Sequence, residues 1–444
     1  MLTIYTRPGF EAEKEYSCTV LLGELLGVSW RLQFSSEVDG YRVVLPNGRT
    51  VTFSDNFWGR IPTGEHYCSS KWLPTRISSL SELPFKEPNS VVVLYGQPTF
   101  TKTAEGWCCG LDIFASTFFM LSRWEEKVSP VRDAYGRFPA HASLAHRWGF
   151  LHRPVVNEYA SFLAQCLNLL GYPLPKRSFS ARLHLSCDVD HPRLWWSIGD
   201  RFRTLGGSLW KRKNPQEALW WLRHGFFHSQ DPFDVFDAWM EQAERRNLVW
   251  HFNFFGKGPK GFETYYSLNH PFLRRLLTRI AERGHVIGFH PSRQAHEDVA
   301  SFDQELTSLR QASPLPVTTG RQHYLCFSAP ETWQRWADAG MEWDSTLGYP
   351  EAEGFRCGIC CDFPVFNFLT RQMLPLREKP LVAMDVTLAL YQGYTPEEAI
   401  ARIEALWKTI RLYGGELVLL WHNSSWNDYF WKDWRIVFNS CLRG

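Results

Sequence analysis

The feature that most constrains the fold is an alternation of apolar strand patterns and amphipathic helix patterns that fills the chain after residue 178. Such alternation is typical of α/β folds with a parallel sheet. The alternating region spans 266 residues, the length of a single α/β barrel. Seven segments have the strand pattern: Arg182–Cys187, Leu248–Phe255, His285–Phe289, Gly320–Leu325, Glu342–Leu347, Val382–Val386 and Glu416–Trp421. The pattern therefore predicts a barrel of about seven strands.

The residues before this region have a different, mixed pattern. Tyr41–Phe53 predicts a hairpin, because two β-prone runs flank Asn47-Gly48. Asp112–Glu126 has helical spacing with Asp112 as its N-cap, and 157–170 predicts a second helix. We expect a smaller α+β domain over residues 1–178, followed by the barrel domain over 179–444.

Composition excludes several classes of protein. Lys and Arg number 48 against 46 Asp and Glu, a net charge of +2, and no basic run is long enough to follow a phosphate backbone, so nucleic acid is not an expected partner. No apolar stretch has the length of a membrane span, and Met1–Phe10 lacks an export signal, so we expect a soluble, cytoplasmic protein without a transmembrane segment. The eleven cysteines are expected to be thiols rather than a disulfide framework.

Two carboxylates follow the first strand of the alternating region. In Leu185–Pro192 (LSCDVDHP), Asp188 and Asp190 would share one face if the strand continued. Two close acids suit one metal ligand and one general base, since a cation between them relieves their mutual repulsion. A turn or a helix cap is an equally good interpretation of this segment alone.

Two further strands end in histidine. Gly284–His296 (GHVIGFHPSRQAH) ends a strand at His290, and the apolar run LVLLWHN ends at His422. Imidazoles at this edge of a parallel sheet could bind a metal or transfer a proton, although a structural role is the alternative. Between them lie Arg321 in GRQHYL and Asp344 in EWDSTL, each of which alone could be a surface ion-pair residue.

The order of these segments resembles the polysaccharide deacetylase superfamily, also called the NodB-homology or carbohydrate esterase family 4 domain. The resemblance covers about residues 180–425 and is strongest to a branch linked to bacterial surface-polysaccharide and O-antigen synthesis, through CDVDHP, GFHPS, RQHYL, STLGYPEAEGFRCGIC and LLWHNS. That branch carries an N-terminal domain, which DIFASTFFMLSRWEE resembles. The resemblance implies a distorted (β/α)7 barrel behind the smaller α+β domain.

The resemblance also implies a role for each matched residue. Asp188 corresponds to the general base, and Asp190 and His290 correspond to metal ligands. Arg321 corresponds to the arginine that fixes the base, and His422 corresponds to the general acid. Asp344 then matches the carboxylate that orients this acid.

One position departs from the family pattern. The second histidine ligand is normally four residues after the first, where this chain has Gln294. We expect His296 to complete the metal site, with His191 or an extra water as alternatives. The opening motif is Asp-x-Asp rather than two adjacent acids.

Two residues are candidates for contacts with substrate. Arg356 could bind an anionic group and Trp421 could stack on a sugar ring, with a structural ion pair and interface packing as the alternatives.

These inferences predict a metal-dependent N-deacetylase that removes acetyl from an acetamido sugar or glycan precursor of a surface polysaccharide. The expected cofactor is a divalent metal, zinc first, with cobalt, nickel or manganese as alternatives. A hydrolase of another C–N bond, such as a deformylase or cyclic-amide hydrolase, is an alternative. So is a catalytically silent glycan-binding or scaffold subunit. Enzymes of glycan assembly are candidate partners.

Overall fold

A computed structural model describes residues 1–175, 180–226, 231–256 and 266–442. The N-terminal part contains a six-stranded sheet in the order β2-β1-β3-β4-β8-β7 and a separate two-stranded sheet of β5 and β6. Its strands are β1 Leu2–Thr6, β2 Trp30–Phe34, β3 Tyr41–Val44, β4 Thr50–Phe53, β5 Ser78–Leu80, β6 Val91–Val93, β7 Gly96–Lys102 and β8 Gly106–Leu111. Its α-helices are α1 Glu11–Cys18, α2 Ile113–Ser122, α3 Trp124–Val128, α4 Leu144–Arg147 and α5 Val155–Leu169.

The turn and the helix cap predicted for this part of the chain are both present in the structure. β3 and β4 pair antiparallel across Asn47-Gly48, and Gly48 takes the positive φ of 80° that the turn requires. The Asp112 side chain accepts a hydrogen bond from the Ala115 N–H and caps α2, whose residues are all buried. The mixed α+β character expected for this region is therefore confirmed.

The C-terminal part contains a nine-stranded sheet in the order β14-β15-β13-β12-β11-β10-β9-β17-β16. All its neighbouring pairs are parallel except β14 with β15. The strands are β9 Arg182–Val189, β10 Trp250–Phe254, β11 Val286–Phe289, β12 Thr319–Gly320, β13 Trp343–Asp344, β14 Phe363–Asn367, β15 Gln372–Glu378, β16 Ala383–Met384 and β17 Glu416–Leu420.

Helices connect most of these strands. Their α-helical ranges are α6 Ile198–Gly206, α7 Pro215–Trp221, α8 Phe236–Glu244, α9 Pro271–Glu282, α10 Arg293–Glu297, α11 Val299–Ala312, α12 Glu331–Asp338, α13 Pro396–Tyr413 and α14 Arg435–Cys441. Short π-helical turns cover Thr19–Leu25, Gly207–Lys211, Leu222–Phe226 and Thr387–Tyr391. Short 3₁₀ turns cover Trp58–Arg60, Ser70–Trp72, Ala140–Ala142, His323–Leu325, Asn423–Ser425 and Trp431–Asp433.

The α/β class predicted from the alternation is confirmed, but the specific (β/α)7 barrel is not. Each of the seven predicted strands overlaps a strand of this sheet, and β14 with β15 form a hairpin that the sequence analysis missed. No hydrogen-bonded pair among the described residues joins the edge strands β14 and β16. The predicted strand Gly320–Leu325 is also wrong in part, because β12 stops at Gly320 and a 3₁₀ turn follows.

The two parts are joined by many direct contacts. The Tyr16 hydroxyl donates to the carbonyl of Pro364 at 2.7 Å, and Arg371 forms an ion pair with the buried Glu13. The predicted domain boundary at residue 178 lies outside the described residues and stays a prediction. In the part of the chain that is described, no helix has both the length and the apolar character needed to cross a bilayer.

Candidate active site

Asp188 lies at the carboxyl end of β9 and is held from two sides. Its Oδ1 accepts from Asn253 Nδ2 at 2.7 Å and from Arg321 Nη1 at 3.0 Å. Burial alone would raise the pKa of Asp188, but the charge of Arg321, the nearby His290 and His422 and the hydrogen bond from Asn253 together outweigh it, so the pKa is lowered. Asp188 is therefore an ionised, hydrogen-bonded carboxylate with its second oxygen, Oδ2, available for chemistry near His290, whose Nδ1 lies 3.9 Å away.

Two neighbouring strands position the groups that hold Asp188. Asn253 is directly opposite Asp188 in the register of β9 and β10, and Gly288 is opposite Asn253 on β11. A Cβ atom at Gly288 would lie only 2.0 Å from Asn253 Oδ1, so glycine leaves the space that this amide needs. Arg321 is fully buried and also donates to Ser186 Oγ and to the carbonyl and hydroxyl oxygens of Ser345.

Three residues form a cluster that could hold a metal ion: Asp190, His290 and His323. One ligand atom from each lies within 4.8 Å of the others. Asp190 Oδ1 is 3.3 Å from His290 Nε2 and 3.7 Å from His323 Nε2. One carboxylate and two imidazoles are a common ligand set for catalytic zinc.

The orientation of His290 fits a cation at this position. Its Nδ1 is 2.7 Å from the carbonyl oxygen of Arg321, which can only accept, so Nδ1 carries the proton. The lone pair of a neutral Nε2 then faces Asp190 Oδ1, and neither buried atom has a hydrogen bond to another described residue. Two facing acceptors repel unless a proton or a metal ion lies between them. The donor set therefore fits a divalent metal.

His422 forms a dyad with a carboxylate that the sequence analysis did not select. His422 Nδ1 lies 2.8 Å from Asp385 Oδ1, and the backbone N–H of His422 donates to Asp385 Oδ2. Its Nε2 points towards Asp190, with 4.0 Å to Oδ2. Burial opposes protonation of His422, but Asp385 and then Asp190 outweigh it and raise its pKa to about 9. The ring is fixed in one orientation and carries a proton at neutral pH.

The predicted third ligand, His296, needs correction. The sequence analysis assumed an irregular stretch after Pro291, but Ser292 caps α10, which carries Gln294 and His296 away from the cluster. His296 Nε2 lies 3.5 Å from Ser328 Oγ instead. The alternative ligand His191 is not a member of the cluster either.

The predicted orienting residue, Asp344, lies opposite Glu378 on neighbouring strands β13 and β15. Its Oδ1 accepts from the hydroxyl of Thr346. Asp385 occupies the position next to His422 that we expected for Asp344, because β16 is the hydrogen-bonded neighbour of β17 and β13 is not.

Both residues proposed as substrate contacts have buried partners within the protein. Arg356 is buried and forms a bidentate ion pair with Glu126 of α3, at 2.6 and 3.0 Å. Trp421 is fully buried, and its indole N–H donates to the carbonyl of Ser425.

A cavity of about 190 Å³ opens over the two aspartates and three of the histidines described above: Asp188, Asp190, His290, His323 and His422. Arg137 of the N-terminal part reaches its wall and donates to the carbonyl of Tyr324 at 2.7 Å. Tyr324 and Leu325 both have positive φ, 58° and 56°, a strained backbone that is common where side chains are aimed into sites. The remaining wall is apolar or neutral: Pro350, Met384, Val386, Tyr391 and Leu420.

Three site residues were missed, and each had a signal in the sequence. His323 lies two residues after Arg321, within a segment already selected, and Asp385 lies in a predicted strand. Asn253 also lies inside a predicted strand, two residues before its end. Polar residues at the carboxyl ends of strands were the criterion used for the other candidates, and it applies equally to these three.

Comparisons with known proteins found similarity to a family model and to solved structures. A family of unknown function, DUF7033, matches residues 2–171. A crystal structure of a "putative polysaccharide deacetylase" from Mycobacterium smegmatis aligns with a TM-score of 0.39 and 15% sequence identity, over 61% of this chain and 85% of that one. Among curated proteins, no sequence matches this chain.

Proposed function

We propose that this protein is a metal-dependent N-deacetylase that hydrolyses the acetamide of an amino sugar in surface-polysaccharide biosynthesis. The observation that carries the proposal is one cavity lined by three residues that could hold a metal ion, by the ionised Asp188 and by His422, which Asp385 orients from behind. These three elements suit amide hydrolysis, because the carbonyl is a poor electrophile and the amine is a poor leaving group.

Asp190, His290 and His323 are the residues that would hold the metal, with zinc as the first choice. When bound, a divalent metal polarises a carbonyl oxygen and lowers the pKa of water. The hydrogen bond from His290 to the Arg321 carbonyl keeps Nε2 directed at the metal position.

Asp188 is the proposed general base. Arg321 and Asn253 both bind its Oδ1, so Oδ2 is the atom that accepts the proton of the attacking water. Its lowered pKa keeps it deprotonated at neutral pH.

His422 is the proposed general acid. It carries a proton at neutral pH, and Asp385 holds Nδ1–H so that Nε2 presents its proton to the cavity. Protonation of the departing nitrogen from Nε2 gives a free amine and a carboxylic acid. Asp385 acts through His422 and is a positioning residue.

The cavity wall supports a small, apolar acyl group. Met384, Val386 and Leu420 line the cavity together with the reacting groups. A methyl group would be accommodated by such a wall, whereas a charged acyl chain would lose its hydration there.

Product analysis with the metal-loaded protein tests the proposal. The protein is incubated with N-acetylated and N-formylated amino sugars, free and as glycosyl conjugates. The N-acetylated substrates should release acetate and a free amine. Asp188→Asn should lower the rate by about 100-fold or more. Asp385→Asn should lower kcat by about 10 to 100-fold and leave metal content unchanged.

Three outcomes would contradict the proposal. Release of formate without acetate would indicate a deformylase, and opening of a cyclic amide alone would indicate a hydrolase of that class. Glycan binding that survives both Asp188→Asn and metal removal, without turnover under any metal, would indicate a silent binding subunit.

A further inference from the structure

An unusual helical insertion leaves the sheet directly after the candidate site. It comprises residues 193–226 between β9 and α8, with α6, α7 and the two π-helical turns Gly207–Lys211 and Leu222–Phe226. Its base is fixed at the edge of the site. Asp231 accepts from the backbone N–H groups of Leu194 and Trp195, and Asn423, which follows His422, donates to the carbonyl of His191.

The insertion exposes large apolar side chains to solvent. Ile198 is 72% exposed, Leu209 is 45% exposed and Trp210 is 82% exposed. Ile198 and Leu209 are eleven residues apart, close to three turns of a helix, so they lie on the same side. Other residues of the same helical segment pack against the protein: Ser208 is fully buried, and Thr204 accepts a hydrogen bond from the indole of Trp195.

The second helix of the insertion also exposes apolar side chains. Leu219 is 48% exposed and Leu222 is 41% exposed, three residues apart along the chain. An apolar stripe that faces water rather than the core indicates an interaction surface.

The charge of the insertion identifies the kind of partner. Residues 193–226 contain seven Lys and Arg against two Asp and Glu, whereas the whole chain has a net charge of only +2. The two acids are already paired, Asp200 with Arg203 and Glu217 with Arg212. Lys211 and Lys213 follow the exposed Trp210 and have no ion pair among the described residues.

We propose that this insertion docks the protein onto an anionic membrane surface. Exposed Trp and aliphatic side chains interleaved with Lys and Arg are the composition of segments that lie in the bilayer interface. The cations provide attraction to anionic headgroups, and the apolar side chains provide insertion. The excess of five positive charges is complementary to the negative charge of anionic headgroups.

Docking would bring the candidate site to the membrane, because the insertion begins at the strand edge that carries Asp190. Its substrate would then be a sugar attached to a lipid carrier; this consequence, unlike the docking itself, rests on the proposed function.

Vesicle co-sedimentation of the full-length protein tests the docking, with phosphatidylcholine vesicles compared with vesicles that also contain phosphatidylglycerol. The wild type should bind the anionic vesicles at least about tenfold more tightly than the neutral ones. Rising salt concentration should release it from the anionic vesicles. Trp210→Ser should weaken binding by about tenfold or more. Lys211→Glu with Lys213→Glu should weaken it by at least as much.

Matched variants control for nonspecific effects. Trp148 is 47% exposed in the N-terminal part, and Lys102 and Lys408 are exposed cations elsewhere. Trp148→Ser, and Lys102→Glu with Lys408→Glu, should leave binding within about twofold of the wild type.

Several results would overturn the docking proposal. It fails if the wild type does not bind anionic vesicles, or if the control variants lose as much affinity as the insertion variants. It also fails if the wild type self-associates and Trp210→Ser yields a monomer without any change in vesicle binding, since the stripe would then join two copies of the chain. None of these readouts depends on hydrolysis.

Discussion

At the scale of single residues, the candidate site depends on a histidine that occupies an unexpected position. His323 lies beside Asp190 and His290, whereas His296 is directed towards Ser328. The two rings can be tested against each other because both belong to the same part of the chain and both are at least half-buried.

His323→Ala should weaken zinc or cobalt binding by about 100-fold or more, because one of three protein ligands is lost. Competition with a chelator and metal analysis after dialysis measure this affinity. His296→Ala is the matched control and should bind metal as the wild type does. Equal losses in the two variants would exclude His323 as the ligand.

At the scale of elements, the pairing of β13 with β15 places two carboxyl groups side by side. Asp344 and Glu378 are register partners, both are fully buried, and Glu378 accepts from the indole of Trp333 and from the Leu347 N–H. Burial raises the pKa of Asp344 to about 7 and also raises that of Glu378, where the neighbouring carboxylate adds to the effect. This pair makes the junction between the strands sensitive to pH.

Because of the buried pair Asp344 and Glu378, we expect the free energy of unfolding to fall as the pH rises from about 4 to 7. In that window the folded protein holds a proton on Asp344 that the unfolded chain, with a pKa near 4, has released. Proton uptake is therefore greater in the folded state, and its stabilising effect is lost as the pH approaches 7. Denaturant unfolding across this range measures it. Asp344→Asn should flatten the dependence, and an unchanged slope in this variant would contradict the assignment.

At the scale of the whole molecule, buried ion pairs join the N-terminal and C-terminal parts. Glu126 of α3 binds both Arg356, at 2.6 Å, and Arg123, at 2.9 Å, and all three side chains are almost fully buried. The N-terminal part also supplies Arg137 to the cavity wall. The two parts therefore stabilise one another, and the N-terminal part contributes to the site.

Glu126→Gln should lower the free energy of unfolding by about 3–5 kcal/mol, because the buried guanidinium of Arg356 loses its counter-charge and that of Arg123 keeps only Glu125. Glu331→Gln is the matched control, since Lys127 and Glu331 also connect the two parts but are about 40% exposed. Its cost should stay below about 1 kcal/mol. Denaturant unfolding checks both variants, and a similar small loss in each would show that the buried pair is dispensable.

The sequence by itself determined seven of the nine strands of the C-terminal sheet, at least in part, and most of the site residues at their carboxyl ends. Asp188, Asp190, His290, Arg321 and His422 could be selected because each follows a locally recognisable apolar run, and parallel strands bring such ends to one edge. The hairpin at Gly48 and the cap at Asp112 were predictable for the same reason, since both depend on neighbouring residues only.

The tertiary structure decided which side chains meet across that edge. His323 reaches the cluster because β12 is only two residues long and a strained turn follows it, which no periodicity indicates. Asp385 rather than Asp344 binds His422 because β16, not β13, is the neighbour of β17. Arg356 became a buried ion-pair residue because α3 brings Glu126 to it. Each of these contacts joins residues far apart in the chain, so strand order and packing set them and local sequence does not.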